Sequence, residues 1–272
     1  MLILAATPIG NLADASPRLV EALTKTSHIA AEDTRTLLNL VHALGVRHEA
    51  KLYSLHEHNE TERVGQLVEL AKSEDVLVVS DAGMPTVSDP GFELVRAAVS
   101  AGVEVTVIPG PSAVLAALAV SGLPTDRFTF EGFLPRKSGE RKKTFEALAS
   151  EERTMVFFES PHRILESLEQ ASQIFGSDRQ ATVSRELTKK FEHTERGALA
   201  QLVEWAKSEP KGEMVIVVAG AKRSAASIEE LVHLVLADTG NGLKQAVAQV
   251  AEAHGVSRSA LYQAALEARA LR

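Results

Sequence analysis

The stretch Ser80-Asp81-Ala82-Gly83-Met84-Pro85-Thr86-Val87-Ser88-Asp89-Pro90-Gly91 decides how this chain is read. It follows the apolar run Val76 to Val79 and precedes a helical pattern from Phe92 to Ser100. Apolar run, loop and helix in that order make one step of an α/β protein. The loop holds two Asp, two Gly and two Pro, residues that select special backbone geometry. Loops at the carboxyl ends of parallel strands are where α/β sheets bind ligands. Carboxylates there suit ribose hydroxyls or a cation, and glycines let backbone N–H groups approach a ligand closely. The plainer alternative is a tight turn with Asp caps.

Working outward, the same step recurs. Met1 to Ala6 reads as a buried strand broken by Pro8, Gly10 and Asn11, and Ser16-Pro17 caps a helix to about Lys25. A strand over His28 to Ala31 runs into Glu32-Asp33-Thr34-Arg35, and a helix from Thr34 stops at Gly45. Tyr53 to Leu55 is a short strand, Glu60 to Lys72 a helix, and Glu104 to Ile108 a strand ending at Pro109-Gly110-Pro111-Ser112-Ala113. This alternation predicts a mainly parallel sheet covered by helices. A second block begins at Arg127, with strands over Thr154 to Phe158, Gln180 to Ser184 and Glu213 to Val218. Its helices fall near Gly139 to Ala149, Arg163 to Phe175 and Ala198 to Lys207. A polar linker, Lys222 to Ser227, leads to a segment in which Gly255 and Ser257 separate two helical runs. The expected organisation is α/β: domains over 1–118 and 119–222, then a helix-turn-helix-like segment over 228–272. That last segment carries five basic and five acidic residues from Arg223 onward. Helical packing or dimerisation therefore competes with nucleic-acid contact.

Composition narrows the classes. The chain has 272 residues and is 45% apolar and 24% charged, as an ordinary globular protein is. It has no cysteine, which excludes disulfides, thiolate zinc sites and cysteine nucleophiles. No apolar run reaches transmembrane length, and no basic n-region opens the chain, so a cytoplasmic protein without a membrane partner is expected. The net charge of −7 argues against a non-specific nucleic-acid coat. Against it stands Pro135-Arg136-Lys137-Ser138-Gly139-Glu140-Arg141-Lys142-Lys143, with five basic residues and one acidic. It is either a solvated face or a phosphate-binding patch.

Eight motifs in order carry a resemblance: Thr7 to Leu12, Ala30 to Arg35, Ser80 to Gly91, Pro109 to Ala113, Arg127 to Lys137, Phe157 to Arg163, Arg185 to Lys189 and Lys211 to Gly220. Together they resemble the bacterial small-subunit ribosomal RNA 2′-O-methyltransferases of the tetrapyrrole methylase superfamily. The helix-turn-helix-like tail extends the likeness to nearly the whole chain. The resemblance implies two α/β domains with S-adenosylmethionine folded in the cleft between them, and a homodimer. It implies methylation of a decoding-centre ribose, at cytidine 1402 of 16S rRNA in the small ribosomal subunit. The absence of a G-x-G-x-G turn after the first strand agrees with that superfamily. A tetrapyrrole carbon methylase and a non-catalytic ribosome-binding module are the competing readings.

By that resemblance Pro8, Asp81, Ala82, Gly83, Met84 and Ser88 lie at the cofactor, with Asp89 continuing the loop. Ser112 and Ala113 open a helix whose free N–H groups suit a carboxylate or ring nitrogen, helix capping being the alternative. Phe158 and Glu159 are expected to face the cleft, and Gly212 and Glu213 to approach the adenine through backbone atoms. Methyl transfer to a hydroxyl asks for a base or an electropositive neighbour. Glu159, Glu186 and Lys189 are the catalytic candidates, Lys189 either neutral after desolvation or charged. Arg185 and Glu186 form a structural ion pair in the alternative reading. Arg35, Arg136, Lys137, Arg141, Lys142, Lys143 and Arg185 are the RNA-binding candidates. No metal is required. His56, Glu57, His58 and Glu60 suit substrate-side or capping roles better than a metal site.

Overall fold

Five four-residue strands form the first sheet of the computed structural model, which describes residues 1–56, 60–221, 228–237 and 242–270, with backbone alone at 60–62. In chain order the elements are β1 (Leu2–Ala5), α1 (Pro17–Lys25), β2 (His28–Ala31), α2 (Thr34–Ala43), β3 (Lys51–Ser54), α3 (Glu60–Ala71), β4 (Val76–Val79), α4 (Phe92–Ser100) and β5 (Val105–Ile108). The strands pair in parallel in the order β3-β2-β4-β1-β5. Central β4 is buried at every residue, as a strand covered on both faces must be. On one face Leu67, Leu94 and Ala98 pack over Leu2, Val76 and Val78. On the other, Leu19, Leu23, Leu37 and Val41 pack over Ala5, Ile29 and Val79. Each buried Leu, Ile or Val among them contributes roughly 1.5 to 3 kcal/mol. Ser16 caps α1 through Leu19 N at 3.1 Å, with Pro17 at the first helical position, and Asp33 caps α2 through Arg35 N at 2.8 Å. All five carboxyl ends therefore point to one edge.

The second sheet is built from β6 (Phe128–Phe133), β7 (Thr154–Glu159), β8 (Gln180–Arg185), β9 (His193–Ala198) and β10 (Met214–Val218), in the order β6-β7-β10-β8-β9. Only β6 and β7 run parallel; β10 pairs antiparallel with both β7 and β8, and β8 antiparallel with β9. The mainly parallel arrangement expected of the first block holds in the first sheet, while the second sheet is mixed. Strand β9 was not expected at all: its sequence, His-Thr-Glu-Arg-Gly-Ala, has an edge strand's polarity and no buried face to announce it. One face carries α6 (Ser138–Ala147), α7 (Ile164–Phe175) and α8 (Leu199–Ala206), through Phe145, Leu168, Phe175 and Leu202. The other carries α5 (Ala113–Ser121), whose Val114, Ala117 and Leu118 pack with Val156, Val215 and Val217. A division at 118/119 therefore falls inside a helix that packs on the second sheet.

Residues 1–220 form one compact unit and 221–272 another. The second contains α9 (Ile228–Ala237), α10 (Leu243–His254) and α11 (Arg258–Ala270) around Leu231, Val235, Val247 and Leu261. Gly255 ends α10 in the left-handed region at φ 65°, and Ser257 Oγ accepts from Ala260 N at 3.4 Å. The linker expected over Lys222 to Ser227 lies outside the described residues. No helix among the described residues is long and apolar enough to cross a membrane.

Candidate functional site

The carboxyl edge of the first sheet meets the second half of the compact unit at a cleft of about 310 Å³. Ile9, Ala82, Asp89 and Ala113 line it from the first half. Phe133, Phe158, Glu159, Ser160, Pro161, Leu187, Glu213, Met214 and Val215 line it from the second. The volume sits at the lower end of the roughly 300 to 1,000 Å³ of small-molecule pockets, and apolar side chains dominate the walls.

The Ser80–Gly91 loop is fixed to the first strand. Thr7 N donates to Gly83 O at 2.9 Å, Gly83 N returns to Thr7 O at 3.2 Å, and Thr7 Oγ1 donates to Ser80 O. Gly83 has φ 89°, and a Cβ there would stand 3.4 Å from Ile9 and 3.8 Å from the Pro111 carbonyl. Thr86 and Ser88 hold positive φ without being glycine, at 75° and 65°. On the Arg185–Lys189 loop, Glu186 and Thr188 do the same, at 52° and 66°. Four of the five such residues among the described ones therefore lie on these two loops. Strain of this kind collects at functional sites. The two halves also touch directly: a Cβ at Gly10 would fall 2.5 Å from Lys189 Cγ and 2.8 Å from Thr188 Oγ1.

Charge differs across the cleft. On the first side Asp33 N donates to Asp81 Oδ1 at 3.1 Å and Asp81 N to Glu32 Oε2 at 3.3 Å. Burial foremost, with the Asp33 charge adding, pushes the Asp81 carboxyl above its usual range. Burial, joined by Glu32 and Asp81 and opposed by a Ser80 hydrogen bond, pushes Asp89 up to about 6. On the second side the carboxylates are paired. Glu159 Oε1 accepts from Ser160 N at 2.7 Å and pairs with Arg163 at 2.6 Å, while Oε2 accepts from Ser167 at 2.5 Å. Lys189 Nζ reaches Glu213 at 2.8 Å and Glu186 at 3.3 Å, and Glu186 Oε1 also accepts from Glu213 N at 3.1 Å. Burial tends to raise Glu186, but the Glu213 N–H and Lys189 outweigh it and its carboxyl is lowered. Burial tends to lower Lys189, but the two carboxylates outweigh it and its ammonium is raised.

All three catalytic candidates are held in ion pairs at this side of the cleft. Glu159 is engaged on both oxygens by an arginine, a serine and a backbone amide, and so ties β7 to α7. The two carboxylates favour the ammonium form of Lys189, the charged one of its two expected forms. Glu186 pairs with Lys189, while Arg185 Nη1 donates to the Lys211 carbonyl at 3.3 Å. Of the expected cofactor residues, Ala82, Ala113 and Phe158 line the cleft. Pro8, Gly83, Met84 and Ser88 lie in the segments that frame it, and Asp81 sits in the acidic group. Ser112 Oγ caps α5 through Leu115 N at 3.5 Å, the helix-capping alternative. Gly212, at φ 99°, abuts Glu186 so closely that a Cβ would overlap its Cγ. Among the RNA-binding candidates Arg136, Lys137, Lys142 and Lys143 are exposed on α6 and its approach. Arg141 is a correction: it is 1% exposed and turned inward onto Glu166 at 3.1 Å and Gln170 at 2.7 Å. Arg35 is exposed and forks onto Asp33, whose carboxyl that pairing holds down at about 2. Among the described residues no group of three His, Asp or Glu side chains is placed to hold a metal ion. Glu57 and His58 lie outside the described residues.

Residues 1–203 match the Tetrapyrrole (Corrin/Porphyrin) Methylases, and residues 223–269 match the RsmI C-terminal HTH domain. The ribosomal RNA small subunit methyltransferase I of Pseudomonas aeruginosa is 44% identical, over 98% of this chain and 96% of that protein. The chain belongs to the ribosomal RNA small subunit methyltransferase I family of tetrapyrrole methylases. The Mycobacterium tuberculosis H37Rv member is 46% identical, over 98% of this chain and 95% of its own length. In fold the chain is similar to the methyltransferase CobJ, with a TM-score of 0.60 at 21% identity over 81% of this chain and 94% of that one. It is equally similar to diphthine synthase, at 0.60 and 18% identity over 80% and 89%. The chain is accordingly a methyltransferase. Among the cleft-lining residues, Ile9, Phe133, Ser160, Pro161, Leu187, Met214 and Val215 were not singled out from sequence. All seven fall inside the family's own motifs, which was the available signal.

Proposed function

We propose that this chain transfers the methyl group of S-adenosylmethionine to the ribose 2′-hydroxyl of cytidine 1402 of 16S rRNA, in the small ribosomal subunit, as a cytoplasmic homodimer. The observation that carries this reading is the near full-length likeness to ribosomal RNA methyltransferases at 42 to 50% identity, beside about 20% to tetrapyrrole-pathway folds.

The cleft suits the donor. Its apolar walls accept an adenosyl body, and the positive φ of Gly83 leaves open a volume that a side chain would occupy. Ile9, Ala82, Ala113, Phe158, Leu187 and Met214 would hold the donor, with the first turn of α5 offering backbone N–H groups. When bound, the donor supplies an electrophilic methyl carbon on a sulfonium. The chain's own part is to orient that carbon, exclude water and manage the acceptor's proton. Lys189, fixed as a cation, supplies positive potential beside the cleft. Arg136, Lys137, Lys142 and Lys143 would neutralise RNA phosphates, with Arg35 and Arg185 at the cleft's margins.

The deciding experiment offers radiolabelled donor with assembled small subunits, naked 16S rRNA or uroporphyrinogen. Label on one ribose of the particle is the expected result. Label on the tetrapyrrole alone, or none anywhere, overturns the reading.

A further inference from the structure

We propose that Asp89 is the general base of this cleft, its carboxylate accepting the proton of the acceptor hydroxyl as that oxygen bonds the transferred methyl group. The proposal rests on the methyl-transfer reading above. Every other carboxylate lining the cleft is engaged by a cation: Glu159 by Arg163, and Glu213 by Lys189. Glu186, beside it, shares Lys189. Asp89 lines the same cleft, is half-buried and takes part in none of the ion pairs among the described residues. Its hydrogen-bond partner is Ser80, a neutral hydroxyl, and the charges that act on it are two further carboxylates, Glu32 after β2 and Asp81 on its own loop. Across the cleft it faces Glu159 and Glu213, each already neutralised.

The backbone holds this group in place. Ser88 precedes it at φ 65° and Gly91 follows at φ 121°, while Thr86 N donates to Pro90 O at 3.3 Å. A Cβ on Gly132 of β6 would come within 3.7 Å of Ser88 Oγ, so the second sheet backs the loop. A loop over-determined in this way keeps one carboxylate at a fixed place in a half-dry cleft. Burial and like charge make that carboxylate a stronger base than an ordinary aspartate and leave it ionised above pH of about 6. In the step, the hydroxyl O–H bond breaks and its proton moves to Asp89, while the oxygen's electron pair forms the new O–C bond. The C–S pair stays on sulfur, which leaves as a neutral thioether. The protonated carboxyl then returns its proton to water.

The test compares wild type with Asp89→Asn in three readouts. Calorimetry with S-adenosylhomocysteine should give affinities within about threefold of each other. Single-turnover methylation of small subunits should slow by roughly 10²-fold or more, the scale of a lost acid–base group. In the wild type that rate should rise through a limb centred near pH 6, and the variant should lack the limb. Independently of activity, the carboxyl carbon of Asp89 in ¹³C-labelled protein, assigned by its absence from the variant, should titrate near 6. A variant rate within threefold of wild type, a carboxyl midpoint near the ordinary value of about 4, or a loss of donor affinity that accounts for the lost rate would each overturn the assignment. Wild-type protein that methylates no particle overturns the function reading, while the carboxyl titration still reports on Asp89.

Discussion

The Ser80–Gly91 loop and the Arg185–Lys189 loop line one cleft from its two halves, and each holds two non-glycine residues at positive φ. They treat charge differently. The first gathers Asp81 and Asp89 near Glu32 and Asp33, and both of its carboxyls are pushed upward. The second, with the end of β7 and the start of β10, ties its carboxylates to Lys189 and Arg163. Strain alone therefore does not mark the reactive side. The charges of the second loop are cancelled in pairs, while those of the first act against one another, which is the setting of the role proposed for Asp89.

The most damaging way to break this contrast is to remove the cation from the paired side. Arg163→Met would strand Glu159, whose side chain is 0% exposed, and should destabilise the protein by about 3 to 5 kcal/mol in thermal or urea melts at pH 7. Glu159→Gln should cost less, because Arg163 keeps the Leu134 carbonyl and some solvent. On the other side, Gly83→Val combines a disfavoured φ with a side chain aimed at Ile9 and Pro111. Donor affinity by calorimetry should fall at least about 100-fold, or roughly 2.7 kcal/mol. A smaller effect is expected from Lys189→Met, about 1 kcal/mol at pH 7. The folded Glu186 carboxyl is lowered, so its stabilisation is present above the unfolded pKa and lost as pH falls through the folded one. The gap between wild type and Lys189→Met should therefore close below about pH 4. An effect that grows in acid would show that Lys189 does not frame this loop.

The smallest stability change, within about 0.5 kcal/mol, is expected from neutralising exposed Arg136, Lys137, Lys142 and Lys143 together while leaving buried Arg141. In filter binding to small subunits at several salt concentrations, each lost phosphate contact should lower the log–log slope by about 0.7 to 0.9. An unchanged slope returns this face of α6 to plain solvation.

Much of the first sheet could be read from the chain. Most of its strands are short, largely apolar runs followed within three residues by Pro or Asp, and the helix over Phe92–Ser100 has the limits its pattern predicts. The second sheet was harder, because strand direction leaves no mark on an apolar run. β9 carries His193, Thr194, Glu195 and Arg196 in succession, so neither of its faces shows the apolar alternation of a half-buried strand. At the site, the motifs located the cleft-lining loops, but pairing within them was not legible. Arg141 and Lys142 look alike in sequence, yet Glu166 and Gln170, a helix away on α7, draw only the first inward. Glu159 and Arg163 lie four residues apart, and that spacing was the one clue to their bond. Asp89 stood in the most conspicuous motif of the chain. The like charge that Glu32 brings to it arrives from β2, distant in sequence, and no local pattern reports that.

The position of β10 at the middle of the second sheet sets an order of events during synthesis. By Ile108 the emerging chain holds all five strands of the first sheet, and they can pair at once. The second sheet has β6 beside β7 and β8 beside β9, two ribbons with no ladder between them until residues 214–218 enter the gap. Isolated two-stranded ribbons are marginal in water. Glu213 and Met214, which complete the cleft, belong to the same late segment. A nascent chain can therefore carry a folded first half and no working cleft while residues 109–213 are made, and its open ribbon edges are the surfaces a chaperone would guard.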